Sequence, residues 1–226
     1  MLQQERIDDH QEALRLAFNG LARTLWCAMI GIVTDTSNFV EHGTVKVEIV
    51  IQAMVSDAQG VQIEQTIKPL VDVPVVFLGG GSMVATFPVS VGDEALIVFA
   101  DRAIDFWFAR GGVQRPAETR AHSLSDGIAI VGPRSLARSL VNLSSTSAQF
   151  RTIDASTFVE IAPGGVVNIV APGGLNISGP VDITGDVNVT GSVTASEEGT
   201  FNSIPVSTHL HGGVQTGGSD TGTPIA

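Results

Sequence analysis

Over residues 175–196 four six-residue units stand in register: Leu175-Asn-Ile-Ser-Gly-Pro, Val181-Asp-Ile-Thr-Gly-Asp, Val187-Asn-Val-Thr-Gly-Ser and Val193-Thr-Ala-Ser. Aliphatic side chains fill positions 1 and 3 and Ser or Thr position 4, with Gly at position 5 of the first three; the fourth keeps its first four positions and has Glu197 at the fifth. Two looser units precede them, Val159-Glu-Ile161 before Pro163-Gly-Gly and Val167-Asn-Ile169 before Pro172-Gly-Gly. Alternate residues of an extended chain share a face, so each unit predicts a very short strand with one apolar side, then a turn. A strand of three or four residues buries too little to fold alone. The repeat therefore demands neighbours on several sides.

Two arrangements supply them. In the left-handed β-helix of hexapeptide-repeat acyltransferases, one coil takes about three hexads, and a stable solenoid needs about three or more repeats. Four clear hexads give barely more than one coil, and the glycine falls two residues after an aliphatic rather than one. The better arrangement is three identical chains wound around one axis. Positions 1 and 3 point to that axis, and the Asn, Asp or Thr between them points to water. A narrow threefold axis suits Val and Ile, in keeping with an aromatic fraction of only 5%.

Charge sharpens this reading. All 12 Lys and Arg residues lie at or before Arg151, while seven acids follow it, so residues 152–226 carry −7 of the net −11. Such a segment also has the composition of a disordered tail, but its periodicity argues for order. An acidic chain, with a pI near 4.7, is repelled by phosphate and is not expected to bind nucleic acid. No run of about 18 apolar residues predicts a membrane-spanning helix. The polar, acidic start MLQQERIDDHQEALRLAF does not read as a secretion signal. The lone cysteine, Cys27, cannot form an intrachain disulfide and is expected to be buried and inert.

Upstream, residues 8–26 predict an amphipathic helix capped by Asp8 or Asp9. Leu14, Phe18, Leu21 and Leu25 share one face, to pack on the helix's own domain or on a neighbouring protein. Five strands are predicted at 28–34, 44–55, 71–78, 95–100 and 105–109, with a long polar loop at 56–66. Val45, Val47, Ile49 and Ile51 fall on one face of the second, and Lys46 and Glu48 on the other. This pattern suits a small barrel such as an OB-fold. Residues 116–152 are mixed, and Pro133 and the serines at 144–147 oppose a long helix.

Past the repeat stand His209 and His211. In an extended strand they face the same way. Three chains would place six imidazoles around the axis, an octahedral nitrogen cage that suits a divalent first-row metal such as iron better than four-coordinate zinc. With no open position, such a site is structural rather than catalytic. The same pair also reads as solvated surface. A hydrolase-type metal site lacks its next acid, since Gly213 stands there. No nucleophile elbow or P-loop is present, and Gly79, Gly80 and Gly81 do not open a helix. His122, Ser123 and Asp126 read as a polar loop, and His10 and His42 as surface residues. The chain is not expected to be an enzyme.

Three stretches then resemble the central baseplate spike, the membrane-piercing tip of contractile-tailed bacteriophages. They are Asp72-Val-Pro-Val-Val-Phe77 with its following glycines; Phe87-Pro-Val-Ser-Val-Gly92-Asp-Glu continuing to Trp107; and Thr208-His-Leu-His211 through Thr221-Gly-Thr-Pro224. The resemblance implies an all-β protein with a short N-terminal helix, an OB-fold barrel that fixes the spike to the tail hub, and an intertwined trimeric β-helix ending in a pointed, metal-bound apex. It implies a virion protein at the tip of the tail baseplate, or of a phage-tail-like bacteriocin. One iron per trimer would sit on His209 and His211, other ions are possible along the axis, and the host outer membrane is the target. The expected organisation is helix 1–26, OB-fold 27–115, linker and start of the spike 116–152, β-helix 153–205 and apex 206–226. A receptor-binding tail fibre is the competing binding-module reading.

Overall fold

The computed structural model describes residues 3–56, 61–208, 213 and 217. The chain divides into two units, Met1–Pro172 and Gly173–Ala226. It is mostly β, with few helices.

The first unit opens with helix α1 (Gln3–Thr24). The helix begins upstream of Asp8 and Asp9, which therefore do not cap it; Gln, Glu and Arg at positions 3–6 are all good helix formers and extend it. Then follow β1 (Ala28–Asp35), the single turn α2 (Phe39–His42) and β2 (Thr44–Ile49). In β2 the buried positions include Val45, Val47 and Ile49 while Lys46 and Glu48 are exposed, as the alternation predicts. The strand stops at Ile49, so Ile51 is exposed instead of joining that face. The chain breaks and restarts as β3 (Ala53–Ser56), which pairs with β4 (Gln62–Gln65). The region expected as one polar loop is thus partly a two-stranded ribbon.

Next come β5 (Leu70–Pro74), the small hairpin β6 (Leu78–Gly80) and β7 (Met83–Ala85), and β8 (Glu94–Phe99). Residues 105–109 are not a strand but lie in helix α3 (Asp105–Arg110). Three successive aromatics, Phe106, Trp107 and Phe108, mimic a β run, but tertiary contacts decide. Asp126 Oδ1 accepts the Ile104 N–H at 2.9 Å at the helix start. Gly111, with φ +67°, ends the helix by donating its N–H to Trp107 O at 2.7 Å.

The fifth strand of the main sheet is β9 (Gly127–Val131), and the sheet order is β5-β2-β1-β8-β9, antiparallel throughout. It curls into a half-barrel. Its outer strands approach at a parallel bridge between Val75 and Ala129, where the Val76 N–H donates to Ala129 O at 2.9 Å. Val33, Val45, Val47, Ile49, Val73, Ala95, Ile97 and Ala129 fill the interior. Each fully buried Val or Ile contributes roughly 1.5–3 kcal/mol.

A separate three-stranded sheet follows, β10 (Ala148–Arg151), β11 (Phe158–Ala162) and β12 (Val166–Val170). In the second unit the hexads form no strand within the chain, which bends at Gly179, Gly185 and Gly191. Among the unit's described residues a hairpin joins β13 (Thr200–Phe201) to β14 (Ile204–Pro205). Its turn residues, Asn202 and Ser203, both have positive φ, +49° and +66°, the geometry of a tight two-residue hairpin. No helix of the described residues is long and apolar enough to cross a membrane.

Candidate interaction surface

No described residue beyond Ala129 is buried. The described aliphatic side chains of the last third therefore lie at least partly on the surface of the single chain, and their sequence spacing is regular.

In the three-stranded sheet, cross-strand partners share a face. Phe150 pairs with Val159, Val159 with Ile169, and Ile161 with both Ala148 and Val167. One face is thus made of Ala148, Phe150, Val159, Ile161, Val167 and Ile169, and its five large members are exposed. Phe150 stacks on Phe87, with centroids 6.3 Å apart and planes 7° from parallel. The opposite face carries a polar row. Glu160 accepts from Gln149 Nε2 and from Asn168 Nδ2, each at 2.9 Å. The Asn168 and Gln149 amides hold the Glu160 carboxyl below the usual carboxylate range. One face is therefore wholly apolar, while the other sets this polar row between Phe158, Val166 and Val170.

The hexads continue this pattern. Positions 1 and 3 are exposed in every unit, with Ile177 at 65% and Val187 at 63%. Position 5 bends the chain with φ of +122°, +137° and +145° at Gly179, Gly185 and Gly191. Side chains disfavour that region, so glycine is required there. The result is two exposed apolar series that repeat every sixth residue. Beyond them Phe201 and Ile204 are also exposed. Glu198 accepts from the Ser207 hydroxyl and from its N–H, which lower its pKa and fix the base of that hairpin.

The other residues singled out from the sequence do not converge. Asp126 faces Arg120 rather than His122: its Oδ2 accepts from Arg120 Nε at 2.8 Å and its Oδ1 from Nη2 at 2.9 Å. His122 Nε2 lies 3.1 Å from Asp101. The Ser123 hydroxyl accepts the Ser125 N–H. His10 and His42 are exposed, as expected. Cys27 is exposed rather than buried, because it stands just before β1, outside the strand. Gly79, Gly80 and Gly81 belong to the β6–β7 hairpin and open no helix. A cavity of about 250 Å³ is lined by residues including Phe77, Phe87, Val131, Glu94 and Arg138. Its oriented polar groups are already engaged, Glu94 by the Ser135 N–H at 2.6 Å and Arg138 by Gly92 O.

His209 and His211 lie outside the described residues. Among the described residues no group of three or more His, Cys, Asp or Glu side chains is placed to hold a metal. Sequence reasoning located the apolar columns but not the polar row on the opposite face of the three-stranded sheet. The alternation of Gln149 with Phe150, and of Glu160 and Asn168 with aliphatics, carried that signal.

No curated protein matches the chain. Residues 36–132, less than half of the chain but spanning β2, β5, β8 and β9, match the family model of Phage protein Gp138 N-terminal domain, and that match marks the protein as a phage structural component.

Proposed function

We propose that the protein is a homotrimeric spike of a phage tail baseplate, whose C-terminal needle is driven through the host outer membrane on sheath contraction. The observation that carries this is the pair of exposed, six-residue-periodic apolar columns. A folded chain rarely leaves so many large apolar side chains in water unless a partner covers them. A column that repeats identically is best covered by copies of itself, with Val and Ile on a common axis and Asn, Asp and Thr outside. Interchain strands then close without exposed edges. The match of residues 36–132 to a phage protein domain supports this reading.

The reading of the main sheet as an OB-fold barrel is supported by the ring order β1-β2-β5-β9-β8, with the parallel Val75–Ala129 bridge completing the ring. This barrel is the part that would seat on the tail hub. At the other end, three chains would bring together His209 and His211 from each. Six neutral imidazoles fit an octahedral first-row ion such as iron. The metal would cross-link three termini that otherwise fray.

Native mass spectrometry with elemental analysis tests this reading. The expected species has three times the 23.5 kDa chain mass and one metal ion. A monomer without metal would sink it. Replacing His209 and His211 by Ala is expected to abolish metal binding and leave the trimer intact, because the apolar axis precedes the site. Trimer dissociation on that change would show that the metal, not the axis, holds the chains.

A further inference from the structure

Every described side chain of α1 from His10 to Ala22 is exposed. Leu14, Phe18 and Leu21, at 51%, 68% and 64%, follow one another at intervals of four and three residues. The same alternation reaches Ile7 and Gln11 upstream and Leu25 downstream. A mean spacing of 3.5 residues makes a narrow seam, the pattern of helices that wind around each other. A helix lying on its own domain shows a wider stripe. Leu16 is the one large aliphatic of the exposed stretch outside the seam.

Two features of the seam select copies of the same chain as its partner. Gln11 sits on the seam between Ile7 and Leu14. A lone polar residue there is satisfied when identical helices meet in register, since each amide both donates and accepts. The flanks carry Ala17 and Ala22, small enough to let neighbouring helices approach. The flanking Arg15 is held by Glu12 of its own helix at 2.6 Å.

We propose that α1 from three copies winds into a short, parallel, in-register coiled coil. It would be a second point of threefold closure, at the opposite end of the sequence from the hexads. The proposal rests on the threefold reading above.

Disulfide trapping tests it on the full-length chain. In a Cys27→Ser background, Leu14→Cys places a thiol on the seam and Asn19→Cys places one on the outer face. Diamide takes up the two thiol hydrogens as one S–S bond forms. The expected result is a covalent dimer from Leu14→Cys, several-fold above Asn19→Cys, since two of three seam thiols meet. Equal yields from a chain that still sediments as a trimer would overturn the coiled coil and leave the spike reading standing. A chain that sediments as a monomer would overturn both. A second variant, Phe18→Asp with Leu21→Asp, is expected to lose far-ultraviolet helical signal while remaining trimeric. Full retention of that signal would also count against the coiled coil.

Discussion

Asp126 is fully buried and ionised, and its surroundings explain how. Burial alone would push the carboxyl up, but hydrogen bonds from Arg120 and from the Ile104 N–H outweigh it and hold it below the usual range. Arg120 also reaches Asp105 and, at 2.5 Å, Glu118, so one guanidinium ties α3 to the entry of β9. Arg120→Met leaves a buried charge without its partner and is expected to destabilise the first unit by about 3 kcal/mol in urea titration. A depressed carboxyl stabilises the fold above the unfolded value, about 3.9 for Asp, and the benefit is lost as pH falls through the lower folded value. Wild-type stability should therefore drop below about pH 4, and the Arg120→Met variant should show a shallower drop. Gly31 supplies a different constraint: a Cβ there would stand 2.3 Å from Val47 Cγ1 and 3.1 Å from Glu48 O. Gly31→Ala is expected to cost about 1–3 kcal/mol by the same titration. Neither role was legible in the sequence. Asp126 reads as one more polar loop residue because its partners lie at 104 and 120, and Gly31 reads as an interruption of an apolar strand.

At the scale of elements, strands with clear alternation were legible and those defined by tertiary contacts were not. Residues 44–49 follow their pattern, whereas α3 hides an aromatic run inside a helix held by Asp126 and Gly111. β9 was missed because Gly-Ile-Ala-Ile-Val is short, lies in a mixed region and gains its strand character from pairing with β8. The hexads were legible as a repeat, since period and glycine position are properties of the chain itself. Two substitutions probe them. Val187→Asp would place three carboxylates on the proposed axis, and sedimentation should show loss of the trimer with the first unit still folded. Gly185→Ala forces a side chain into φ +137° and is expected to cost about 1–2 kcal/mol per copy, read as an earlier thermal dissociation of the trimer.

At the scale of the molecule, all described buried hydrophobic residues lie between Val33 and Ala129, so the curled sheet has a core of its own within one chain. The aliphatics that follow are exposed in the single chain, and in the proposed trimer their order would depend on protomer concentration. The six-residue period was readable because it is a property of the chain itself, whereas the proposed apex rests on a histidine pair outside the described residues. During synthesis the barrel sequence leaves the ribosome before the hexads do. A folded head is then present while the apolar tail is still emerging, and heads that have already met would hold three tails at high effective concentration. For the proposed trimer the exposed aliphatics thus set a timetable: gather the heads first and zip the tails second. A chain released alone would carry an adhesive strip into a crowded cytoplasm.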